Sequence, residues 1–105
     1  MKNILIISAT SGNNYKLASE IKSLLDKKNT SSILIKLDDY SIPLYDPSIE
    51  KDIKLKDISK LDDLFQNANG FIFCAPEYNG SIPPIVTNAI AWISVTTSNW
   101  RGAFD

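Results

Sequence analysis

Histidine is absent from the 105 residues, cysteine and methionine occur once each, and glycine only four times. Without histidine neither a Ser-His-Asp nor a Cys-His nucleophilic centre can be assembled. The metal templates that combine Cys and His fail with one thiol, so no metal site is expected. Cys74 cannot close an internal disulfide, which fits a reducing cytoplasm. An excess of either charge is missing too. With 11 basic and 12 acidic residues the formal net charge is -1, which offers no footprint for nucleic acid and no polybasic segment for an anionic membrane. The apolar run near the N-terminus, Ile4 to Ile7, is too short for a signal-peptide core or a spanning helix. The expectation is a soluble cytoplasmic protein that binds neither nucleic acid nor membrane, and whose chemistry comes from a bound cofactor.

What is present describes one globular domain over residues 1–105, with 44% hydrophobic and 22% charged residues. Asn3 to Ser8 holds a continuous β-branched run, as in a parallel strand buried on both faces. Ala9-Thr10-Ser11-Gly12-Asn13-Asn14 follows as a small, polar turn. Leu17, Ala18, Ile21, Leu24 and Leu25 then recur at helical spacing to about Lys28. A second strand, Ile33 to Leu37, completes a strand-helix-strand unit, whose right-handed crossover implies a parallel sheet. Asp38 to Lys56 is a long polar connection, expected to pack Ile42, Leu44 and Tyr45 onto the domain. Ile58, Leu61, Leu64, Phe65 and Ala68 predict a second helix, capped by Ser59 and ending at Asn69-Gly70 in a left-handed cap. Phe71 to Ala75 reads as a third strand. Pro83 and Pro84 suit the first turn of a third helix, whose stripe is Ile85, Val86, Ala89, Ile90 and Ile93. Thr96 to Asp105 shows no period.

In an open α/β sheet ligands bind beyond the carboxyl ends of the strands, where the strand order reverses. An order of 2-1-3 sets the loops after the first and third strands side by side. The first offers what a phosphate monoester needs: hydroxyls on Ser8, Thr10 and Ser11, amides on Asn13 and Asn14, Gly12 for close approach, and a helix N-terminus. The same residues also make ordinary tight turns and caps. The second loop, Pro76-Glu77-Tyr78-Asn79-Gly80-Ser81, offers an aromatic face and backbone N–H groups to a planar heterocycle, or else forms a turn on which Tyr78 packs. Cys74, inside an apolar strand, reads as a small core residue rather than a nucleophile.

Pro43-Leu44-Tyr45-Asp46, Ala75-Pro76-Glu77-Tyr78-Asn79-Gly80-Ser81-Ile82-Pro83 and Thr87-Asn88-Ala89-Ile90-Ala91-Trp92-Ile93, with the opening strand, polar loop and helix, resemble the NAD(P)H-dependent FMN reductases of the flavodoxin-like superfamily. The Pro-Glu-Tyr-Asn-Gly-Ser signature is the most specific part. The first loop lacks the arginine many such reductases carry and is closer to the Thr-rich loop of flavodoxins. The resemblance implies a flavodoxin-like doubly wound parallel sheet. It also implies FMN, with Ser8, Thr10, Ser11, Gly12, Asn13 and Asn14 at its phosphate and Pro76, Glu77, Tyr78, Asn79 and Gly80 at its isoalloxazine ring. NADPH or NADH is the implied co-substrate, a quinone or similar small molecule the electron acceptor, and a homo-oligomer the assembly. The flavin carries the redox chemistry, so no catalytic side chain is named.

The family has five strands, and this sequence supplies about three, leaving the third as an edge open to pairing. The expectation is therefore a C-terminally incomplete domain. A flavin reductase is the first reading. A non-catalytic FMN-binding or interaction fragment is the second, and a phosphate-binding module for another nucleotide the third, should Tyr78 face away from the site.

Overall fold

A computed structural model describes residues 3–46, 48, 56–76 and 82–96. The elements are β1 (Asn3–Ser8), α1 (Asn13–Lys27), β2 (Ser31–Lys36), a 3-10 turn (Leu37–Asp39), α2 (Lys56–Gln66), β3 (Gly70–Cys74) and α3 (Pro84–Thr96). All three strands are parallel in the order β2-β1-β3, as expected from the sequence. Ser8 pairs with Lys36 on one side and with Cys74 on the other, so the carboxyl ends of all three strands lie level.

Being central, β1 buries both faces, and the two-residue repeat of a strand divides its side chains between two layers. Leu5 and Ile7 face α2 and α3, meeting Leu61, Phe65, Val86, Ala89 and Ile93. Ile6 faces α1, meeting Ala18 and Cys74, with Ile21, Leu25, Leu34 and Ile72 around them. Phe65 stacks on Phe71 with ring centroids 5.1 Å apart, an offset arrangement that adds to simple burial.

Helix ends depart from expectation in instructive ways. At the end of α1, Asn29 takes φ 57°, the Asn29 N–H donates to the Asp26 carbonyl, and the Thr30 N–H donates to the Leu25 carbonyl. This pair of bonds is a Schellman cap, with Asn filling the left-handed position glycine usually takes. The left-handed cap expected at Asn69-Gly70 is not formed. Gly70 instead opens β3, where a Cβ would come within 3.1 Å of Ile4 Cδ1. Ser59 lies inside α2 and is no cap, because the helix starts earlier, at Lys56. The second strand likewise starts two residues early, and Leu37 belongs to the 3-10 turn. Leu17 and Leu24, read as part of the buried stripe, are exposed, since the apolar contact of α1 with the sheet runs through Ala18, Ile21 and Leu25.

The connection after β2 divides in the same manner. Ile42 packs into the core, whereas Leu44 is 80% exposed. The Tyr45 ring meets Trp92 edge-on at 5.1 Å. Among the described residues β3 pairs only with β1, which leaves its outer edge open as anticipated. The outer edge of β2 is guarded by Lys22, whose Nζ donates to the Ser32 carbonyl and Oγ at 3.0 and 3.2 Å. A lysine placed there discourages pairing with another chain.

Candidate functional site at the ends of β1 and β3

The loop from Ala9 to Gly12 leaves β1 and turns directly into α1. Its root is tied to the third strand, because the Ala9 N–H donates to the Cys74 carbonyl at 2.9 Å. The two loops therefore start from adjacent points. Ser8 is fully buried and its Oγ–H donates to the Thr10 carbonyl at 2.5 Å, so it braces the turn from beneath. The Thr10 hydroxyl donates to the Ser11 carbonyl at 3.2 Å. Gly12 has φ 95° and ψ -138°, a region that side chains strongly disfavour. Nothing lies within 4 Å of where its Cβ would be, so the space above the turn is open.

Gly12 is also the residue preceding α1, and no side chain caps that helix or places a carboxylate in its first turn. Neither Asn13 nor Asn14 serves as a cap; both belong to the first turn, Asn14 half-buried and Asn13 exposed. The leading N–H groups of a helix have no intrahelical acceptor and carry its positive end, which suits an anion. An anionic group already sits against the loop. Oδ2 of Asp38 accepts from the Ser11 N–H at 3.0 Å and from the Ser11 Oγ–H at 2.9 Å. Both polar hydrogens of Ser11 thus meet one anionic oxygen, while the Ser8 and Thr10 hydroxyls are taken up by carbonyls of the loop itself.

At the second loop, Ala75 and Pro76 continue from β3 beside Ala9, with Pro76 half-buried. Glu77, Tyr78, Asn79 and Gly80 lie outside the described residues. Beyond them Pro83 is fully buried and α3 begins at Pro84.

A further arrangement was missed in the sequence. The Asn88 Oδ1 accepts from the Tyr45 N–H at 2.7 Å, its Nδ2 donates to the Pro43 carbonyl at 3.0 Å, and Trp92 Nε1 donates to the same carbonyl at 2.8 Å. These contacts clamp the connection after β2 onto α3. Asp57 holds the same connection by accepting from the Ser41 N–H at 2.6 Å. Asp38 was missed as well. Its position at the carboxyl end of a strand neighbouring β1 was the available signal.

Titratable groups around the site are tuned by burial more than by charge pairs. Desolvation raises the pKa of the Cys74 thiol, which keeps it protonated and unreactive at neutral pH, as its place in a core strand suggested. Burial, then the carboxylates of Asp39 and Asp57, raises that of Tyr40. Among the described residues no group of His, Cys, Asp and Glu could hold a metal ion. Two shallow grooves, of about 470 and 200 Å³, run along α1 and the outer edge of β2 and share Tyr15 and Leu34. Neither is lined by the loop residues from Thr10 to Asn14.

The parallel sheet of order 2-1-3, with helices on both faces, defines a flavodoxin-like α/β protein. Solved enzymes share this architecture. A flavoenzyme NAD(P)H:(acceptor) oxidoreductase from Paracoccus denitrificans superposes with a TM-score of 0.76 at 20% identity, over 100% of this chain and 56% of the other. An azoreductase from Bacillus anthracis gives 0.68 at 17% identity, over 89% and 55%. The model of the NADPH-dependent FMN reductase family matches residues 1–104, and the chain belongs to that family. An uncharacterized protein of Mycoplasma pneumoniae is 30% identical over 98% of this chain and 60% of its own length. The chain thus spans less than two thirds of each relative.

Proposed function

We propose that the chain acts as an NAD(P)H-dependent FMN reductase. In this reading Thr10, Ser11, Gly12, Asn13 and Asn14 hold the phosphate of FMN over a turn braced by Ser8. Pro76, Glu77, Tyr78, Asn79 and Gly80 serve the isoalloxazine ring. When bound, FMN would supply the redox chemistry, hydride acceptance from a nicotinamide and electron delivery to a small acceptor such as a quinone. The protein's own part is to bind and orient the cofactor: the loop and the α1 N-terminus supply hydrogen-bond donors and a positive dipole, and the second loop supplies Tyr78 as an apolar face. No side chain acts as nucleophile or general base. A cytoplasmic homo-oligomer belongs to the same proposal; the free thiol and the open outer edge of β3 favour it.

The observation that carries the reading is the convergence of two Ser11 donors on an anionic oxygen directly before α1, beside the root of the Pro-Glu-Tyr-Asn-Gly-Ser loop. The test is oxidation of NADPH or NADH by the chain with added FMN and a quinone. Turnover that depends on FMN supports a reductase. Saturable FMN binding without any oxidation favours the FMN-binding fragment instead, and absence of flavin binding removes both. Tyr78→Ala should weaken flavin retention and leave the melting temperature close to that of the parent chain. Equal flavin content in the variant would count against a ring contact.

A further inference from the structure

Ser11 has two hydrogens to donate, one on its backbone nitrogen and one on its hydroxyl, and both point at a single oxygen of Asp38. The carboxylate arrives from a separate element, the 3-10 turn Leu37–Asp39 that follows β2. It is exposed, and the two ion pairs among the described residues, Lys22 with Asp26 and Lys36 with Asp39, leave it without a cation. Its negative charge is therefore met by the Ser11 donors, in the loop where a phosphate would sit.

We infer that Asp38 is a built-in competitor for the flavin phosphate and sets how strongly this site discriminates FMN from an unphosphorylated flavin. The inference rests on the proposed phosphate role of the loop from Thr10 to Asn14. Each Ser11 donor has one hydrogen, so a phosphate that takes them must displace the carboxylate. A phosphate that uses only the leading N–H groups of α1 leaves the carboxylate in place and sits beside a like charge. Either way Asp38 opposes the phosphate and leaves the binding of the ring unaffected. The loop also carries no arginine or lysine between Ala9 and Asn14 to offset that opposition. Asp38 is thus a specificity-determining residue that acts on the phosphate through Ser11.

The test compares FMN and riboflavin binding by calorimetry in the unmodified chain and in Asp38→Asn. Asparagine keeps an acceptor oxygen for Ser11 and removes the charge. The expected result is FMN affinity about five- to thirtyfold tighter in the variant, the size of one like-charge contact in a solvated site. Riboflavin affinity should not change. If the unmodified chain prefers FMN and the variant leaves the FMN to riboflavin ratio unchanged or lower, the role of Asp38 is overturned while the phosphate loop stands. If neither the unmodified chain nor the variant prefers FMN over riboflavin, the phosphate loop itself is wrong. Should the variant fail to fold, the Ser11 amide resonance of the unmodified chain decides. It should shift on adding FMN and stay in place on adding riboflavin, and an Ser11 amide indifferent to both would overturn the inference.

Discussion

Single residues set the shape of the turn after β1. Gly12 stands at φ 95° with open space where a side chain would go, so the objection to a side chain there is backbone strain and not collision. Gly12→Ala should cost about 1–3 kcal/mol of stability in urea unfolding, and an unchanged midpoint would show that the turn relaxes freely. Tyr40 and Cys74 carry a pH signature. Both hold their protons longer when folded than when unfolded, so the native state binds more protons at alkaline pH and loses stability as pH rises past the unfolded values. For Tyr40 that window opens at about pH 10. Tyr40→Phe should flatten the alkaline loss measured by urea unfolding between pH 8 and pH 11, and an identical slope in the two proteins would contradict this. Residue identity alone announced Gly12. It could not announce Asp38, because a carboxylate after a strand looks like any solvated charge until the register shows which loop it faces.

At the level of elements, periodicity located every helix and strand described here, and packing then decided which members of each stripe are buried. The spacing of Leu17 and Leu24 was helical, but α1 meets the sheet along a narrow line through Ala18, Ile21 and Leu25, leaving those two leucines outside it. Conversely Trp92 fell outside the apolar stripe read for α3, yet it is buried. Its indole N–H and the Asn88 carboxamide seize the connection after β2. A contact of that kind joins residues more than forty positions apart and leaves no local trace in sequence. Asn88→Ala deletes two partly buried hydrogen bonds and should cost about 1–3 kcal/mol. Thermal melting checks it, and a loss confined to the noise would mean that Trp92 holds the connection alone. Phe65→Ala, in the layer between α2 and the sheet, should cost about 3–5 kcal/mol, a large share of the stability of any domain this small.

For the whole molecule, strand order was legible because right-handed crossovers and short links leave few alternatives for a strand-helix-strand start. The order β2-β1-β3 then sets the carboxyl ends of β1 and β3 beside each other, and the bond from the Ala9 N–H to the Cys74 carbonyl ties the chain leaving β1 to the end of β3. The opposite ends of the sheet differ in treatment: Lys22 guards β2, whereas the outer edge of β3 is open among the described residues and Phe73 beside it is half-exposed. Sedimentation equilibrium should therefore report a mass above that of one chain, and a monomer across the accessible concentrations would contradict the proposed homo-oligomer.

The central claim is that the loops after β1 and β3 form one cradle for FMN. Titrating the ¹⁵N-labelled chain with FMN tests it most directly. The amides of Ser11 to Asn14 and those of Tyr78 to Gly80 should shift together along a single binding curve. Shifts confined to one loop, or centred on the grooves beside Tyr15 and Leu34, would contradict it.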